Sequence, residues 1–363
     1  MGLPRVTVDS VRSRLPKRSP VGIGAIIAGT LNQDPATLNT DWFGTMLMHG
    51  LLLWHKRGIW EVRPFAQAWL DHHLQRTEVA PYSGNRSRPV AAGGIPITTY
   101  VGHYGLSSPC YEMALQFGDR RAREICLDIA RIILHQSARN RFGMVAHDDD
   151  AEFAIPDSCY FVVTALMIAY RLDPQAGQIF RDQALYQLRM YTDRFLIKET
   201  GLAKTVLLKE GLGQTYWTRA TGWLLWAITG VLRHLEPSHP DFGGIIEDLK
   251  ALAGGIARVQ DSKGGLRVLL DDPSTPLETT GTAMCALGLH ESVRCGWLPS
   301  LFAGAAGRAW DFVQRNITDA GEIRQAYTGW AVPAEKRVVS IDERKMGWIP
   351  GFILCVANEM GGS

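Results

Sequence analysis

The sequence predicts an all-α protein built from long helix pairs, and three observations predict it. Apolar residues recur at helical spacing through most of the 363 residues. Strand-like alternation is scarce. Gly- and Pro-rich connectors punctuate the chain, but none is long or polar enough to be a domain linker. With 46% hydrophobic residues the chain can bury a large core, and we expect one unit over residues 1–363, with 1–38 as an irregular N-terminal segment.

In order along the chain, residues 41–56 (DWFGTMLMHGLLLWHK) carry the apolar excess of a buried helix, and 64–75 follow as an amphipathic partner. Further helices are expected at 105–117, 119–136, 157–171, 174–195, 219–235, 241–259, 279–292, 299–316 and 346–360. With one short N-terminal piece they approach twelve. Between them lie connectors at 80–96, 236–244, 261–276 and 328–337. An antiparallel pair about every 55 residues is what a double ring of helices needs, although no repeat of residues marks it.

The charge balance, 38 basic against 36 acidic residues for a net +2, argues against a nucleic-acid partner. It leaves room for a small anion held by local cations. Six cysteines lie scattered in apolar segments without metal-ligand spacing and read as buried thiols of a reducing compartment. The apolar run at 21–31 is short and holds Gly22, Gly24 and Gly29, a poor signal or anchor. We therefore expect a cytoplasmic protein with no membrane partner. The run Asp148, Asp149, Asp150 and Glu152 lacks the spacing of a calcium loop, so no metal and no cofactor is assigned.

Two strings carry chemistry. In TYWTRATGWLLW (215–226), Arg219 and Trp223 lie four apart on one helix face and Trp217 precedes them by a turn, so two indoles flank one guanidinium. Aromatic faces stack on sugars and Arg grips carboxylates in pairs of hydrogen bonds; the same spacing also describes a core Trp pair. In HDDDAEFAIPDSCYF (147–161), Asp157 stands at the start of a long apolar helix, as its N-cap or as a proton donor. Burial near aromatic rings raises a carboxyl pKa and a helix N-terminus lowers it.

Trp217, Arg219, Gly222 and Trp223, the Asp157 helix start, LETTGTAMCALGL (277–289) and WIPGFILCVANEM (348–360) are in order similar to landmarks of glycoside hydrolase families 88 and 105. HYGLSSPCYEMALQFGDRRAREICLDIARIIL (103–134) resembles their tyrosine-rich helix pair. The resemblance implies an (α/α)6 barrel acting on an oligosaccharide, with an unsaturated uronic acid at its end. On that resemblance an aspartic acid matched by Asp157 protonates C4 of a C4=C5 vinyl ether and water adds at C5. Arg219, Trp217 and Trp223 match residues that hold the sugar, with Trp42, His103 and His147 as further candidates.

This chain also departs from the pattern. Where relatives carry a second aspartate it has Gly102 and His103, and residues 201–213 lack a His-Trp-Asp string. Ile155 replaces an aromatic residue. Three alternatives therefore stay open. A saturated uronide would need a second carboxylate from Asp148, Asp149, Asp150, Glu152 or Glu278. A sugar epimerase or isomerase would draw on His49, His55, His103 and His147, and a sugar-binding scaffold on none of them. Arg324 and Lys345 are spare cations of the late connectors.

Overall fold

The computed structural model describes residues 5–79, 87–327 and 348–361. Lys345 and the connector at 328–337 lie outside the described residues. The described chain is helical, with α1 (Val8–Arg12), α2 (Gly22–Leu31), α3 (Trp42–Lys56), α4 (Arg63–Leu74), α5 (Ser107–Phe117), α6 (Arg120–His135) and α7 (Pro156–Leu172) in its first half. There follow α8 (Gln178–Phe195), α9 (Thr218–Leu232), α10 (Phe242–Val259), α11 (Thr279–Arg294), α12 (Ala303–Arg315) and α13 (Trp348–Met360).

Alternate helices form a ring. α3, α5, α7, α9, α11 and α13 each pack on the next, and α13 packs back on α3. The intervening helices make the outer layer, α6 against α5, α8 against α7, α10 against α9, α12 against α11 and α2 against α13. This is the (α/α)6 barrel. Layering explains the two kinds of helix in the sequence. An inner helix touches neighbours on every side, so α9 is buried at every residue except Gly230. An outer helix has one dry face: α6 buries Ala122, Ile125, Cys126, Ile129, Ala130 and Ile133, and turns its arginines to water.

Two expectations need correction. The N-terminal stretch expected to be irregular holds α1 and α2 within its described residues 5–38; Gly22 lets the start of α2 lie against the backbone carbonyl of Thr318, where a Cβ would stand 2.1 Å from the oxygen. All six cysteines are free, but Cys295 is exposed rather than buried, since it caps the C-terminus of α11 at the surface. No described helix is long and apolar enough to cross a membrane.

The ring closes through a close backbone approach. A Cβ on Gly351 of α13 would sit 2.5 Å from the Leu47 nitrogen, and one on Gly50 of α3 would meet Leu354 at 2.7 Å. We predict that Gly351→Ala destabilises the fold by about 2 kcal/mol, because neither helix can shift without opening the ring. Gly29→Ala, with nothing within 4 Å, should instead be neutral or stabilising. Urea denaturation of both variants checks the pair.

Candidate active site

Connector length decides where a site can form. Chain running from an outer helix to the next inner one is long: residues 75–106, 136–155, 196–217 and 260–278. Four two-stranded antiparallel hairpins lie in these runs: β1 (Pro89–Ala92) with β2 (Ile95–Thr98), β3 (Leu196–Ile197) with β4 (Leu202–Ala203), β5 (Leu207–Leu208) with β6 (Gly211–Leu212), and β7 (Leu266–Arg267) with β8 (Leu277–Glu278). The returns are short. Left-handed Gly118, at φ 67°, turns α5 almost directly into α6. All six inner helices therefore aim their N-termini at the connector-built mouth, where unpaired N–H groups and positive dipole ends favour an anion.

Asp157 stands in this mouth. It is not the N-cap of α7: Ile155 takes that place with extended backbone, fixed by a two-bond bridge between Ala154 and Leu207, and Pro156 opens the helix. The carboxyl is thus freed from capping. Part of the residue reaches solvent, yet its Oδ1 is covered and has no hydrogen-bond partner. Burial pushes its pKa up to about 7, against the opposing pull of Arg219, its own backbone N–H and the Trp223 side chain.

Arg219 is buried one residue inside α9. Its guanidinium lies 4.1 Å from the Trp217 ring centroid and donates from Nη1 to the Tyr327 carbonyl at 2.8 Å. Trp217 carries a covered indole N–H without a partner. Trp223 does not complete a two-indole clamp. At 1% exposure it lies beneath the mouth, with ring centroids of Tyr160 at 4.8 Å, Phe161 and Phe352 at 5.1 Å and Trp42 at 6.4 Å. It is a floor beside Asp157, not an open stacking face.

The more open indole is Trp42, in the first turn of α3 behind its Asp41 cap. Gly102 presses against it: a Cβ there would be 2.8 Å from Trp42 Cδ1 and 2.2 Å from Tyr100 Cε1. With these two rings in place Gly102 has no room for a Cβ, so of the pair Gly102 and His103 only His103 presents a side chain. Tyr100 is flanked edge-on by His103 at 5.7 Å and His147 at 5.1 Å. His103 Nδ1 accepts the Thr98 N–H at 3.2 Å, so a neutral ring carries its proton on Nε2. His147 Nδ1 meets Ser158 Oγ at 3.0 Å, one residue from Asp157. Burial holds both imidazoles well below their ordinary pKa, His103 at about 4 and His147 at about 3.

Sequence reasoning missed Tyr100. Its signal was an aromatic residue two positions before a glycine in a connector.

The other candidates are held by structural bonds. Glu278 caps α11, accepting from Thr280 N at 2.8 Å and Gly281 N at 2.5 Å. Asp149 accepts from Thr99 Oγ1 at 2.7 Å and from Arg88, Asp148 and Asp150 shape their own turn, and Glu152 pairs with Arg141 at 3.0 Å. His49 and His55 sit farther along α3, away from its N-terminal end.

A family model described as Glycosyl Hydrolase Family 88 matches residues 33–361. The chain belongs to that family. This family 88 glycoside hydrolase is 27% identical, over 65% of its length and 70% of the relative's, to the unsaturated rhamnogalacturonyl hydrolase YesR of Bacillus subtilis. It is 30% identical over 152 residues to an unsaturated 3S-rhamnoglycuronyl hydrolase of an Alteromonas species, of which that match covers 35%. Its fold is that of a possible family 105 member from Salmonella enterica, with TM-score 0.74, 18% identity and coverage of 99% and 96% of the two chains. The unsaturated glucuronyl hydrolase of Bacillus sp. GL1 superposes with TM-score 0.69 at 15% identity, over 97% and 96%.

The raised pKa has a stability consequence. A carboxyl whose folded pKa is about 7 against 3.8 unfolded costs stability progressively as pH rises between those values. We predict that Asp157→Asn melts at a higher temperature than wild type at pH 8, and that the gap closes as pH falls toward 4. Thermal denaturation at the two pH values checks it.

Proposed function

We propose that this glycoside hydrolase removes a terminal unsaturated uronic acid from an oligosaccharide, with Asp157 as its acid and base. The observation that carries the reading is one carboxyl, raised to about 7 by burial, with an unpartnered Oδ1 beside the Arg219 guanidinium. Such a group is protonated in substantial part near neutral pH, as a proton donor must be. The names of the curated relatives support the substrate class.

In this mechanism the substrate carboxylate approaches Arg219, whose planar donors suit it, and the sugar lies against Trp42. Asp157 gives its proton to C4 of the C4=C5 vinyl ether. Positive charge develops at C5 and the ring oxygen, water adds at C5, and its proton returns to the Asp157 carboxylate. The hemiketal then opens at C5 and the saccharide leaves from C1. One group moves both protons, so no second carboxylate is needed, which agrees with the occupation of Glu278 and the Asp148–Glu152 run by structural bonds. His103 and His147, neutral at pH 7, serve as hydrogen-bonding groups beside Tyr100. The six free cysteines support a reducing, cytoplasmic setting.

Loss of the far-ultraviolet absorbance of the conjugated double bond tests this on lyase-generated disaccharides. Asp157→Asn should slow the loss by about a thousandfold while remaining folded. In wild type, kcat/KM should fall as pH rises through about 7, because the donor must start protonated. Activity retained by Asp157→Asn would end the proposal. Arg219→Gln should raise KM by about tenfold to a hundredfold, and more than it lowers kcat, if Arg219 binds the carboxylate in ground and transition states alike.

A further inference from the structure

The opposite end of the barrel holds a second space, of about 500 Å³, lined by all six inner helices. It lies toward their C-terminal ends, where carbonyl groups without helical partners lend partial negative charge. Its walls are themselves charged. Lys56 pairs with Glu112 at 3.3 Å, and Arg233 grips Glu291 through two bonds. Those pairs are closed.

Glu359, in the last turn of α13, faces the same space; its charge is felt by Arg233, but Glu291 holds that guanidinium through both of its bonds. The remaining cation, Arg294, lies at the edge, shared with the surface groove beside Lys17 and Trp310. His49 lines the wall too, with a neutral ring and an Nδ1 that has no hydrogen-bond partner. Tyr160, Trp226 and Trp297 supply aromatic surface. The hydrolytic reaction uses none of these groups.

We propose that this cavity binds a small organic cation with an apolar body, its ammonium group received by Glu359 and its body by Tyr160 and Trp226. An ammonium ion gains from the carboxylate, the carbonyl ends and the aromatic faces together. A carboxylate ligand opposes the first two, and a neutral one forgoes them. The cavity also has a built-in reporter. Trp226 lines it, and its ring centroid lies 5.9 Å from that of Trp223.

Tryptophan fluorescence and melting temperature of the full chain, titrated with n-butylammonium, n-butanol and butyrate, test the proposal. The expected result is a saturable fluorescence change and a raised melting temperature with n-butylammonium alone. Glu359→Gln should weaken that binding by about tenfold or more. Gly230→Leu should abolish it by filling the space: the nearest atom to a Cβ there is Thr164 Oγ1 at 3.8 Å, so the helix accepts a side chain. Circular dichroism establishes that both variants fold. An equal response to n-butanol or butyrate, unchanged affinity in Glu359→Gln or Gly230→Leu, or no saturable response in wild type would each overturn it.

Discussion

Every inner helix owes its position to the contact between the first and the last of them. The Trp54 indole N–H reaches across 300 positions of sequence to the Leu354 carbonyl at 3.0 Å, and glycines on both helices let the backbones meet. Until that contact forms, the other five inner interfaces are a curved sheet of helices with two open edges. Once it forms, each N-terminus is fixed relative to the rest, and residues from α3, α7 and α9 can share one floor.

That floor ties binding to chemistry. Trp223 is at once a core residue, with aromatic neighbours on several sides, and a neighbour whose side chain holds down the pKa of Asp157. A carboxyl resting on a dry aromatic layer loses hydration on one side only. Its pKa rises while the side facing the mouth stays reachable. Arg219 limits the rise, since a guanidinium close by favours the ionised form. The acid therefore titrates near neutrality rather than far above it.

Much of this was legible in the sequence. Helix positions followed from apolar spacing: 41–56 was read for Trp42–Lys56, and 241–259 for Phe242–Val259. Asp157, Arg219 and Trp217 were read as site residues, and the structure puts them at one end of the barrel. What failed were properties of the third dimension. Trp223 has the same spacing from Arg219 whether it faces sugar or core, and only packing shows which. The capping role left open for Asp157 belongs to Ile155, because a bridge to a distant strand pins the preceding residues. Tyr100 became visible only when the rings around Gly102 were in place.

The unequal connectors have a consequence for how such a protein changes over generations. Insertions in a chain segment cost closure entropy that grows only slowly with length, so a run such as 260–278 can lengthen at small thermodynamic expense. The Gly118 turn has no such freedom, because an added residue there would rotate α6 off its face of α5. Novelty in glycan preference is thus channelled to one rim of the molecule, and the opposite rim is held to a narrow set of lengths.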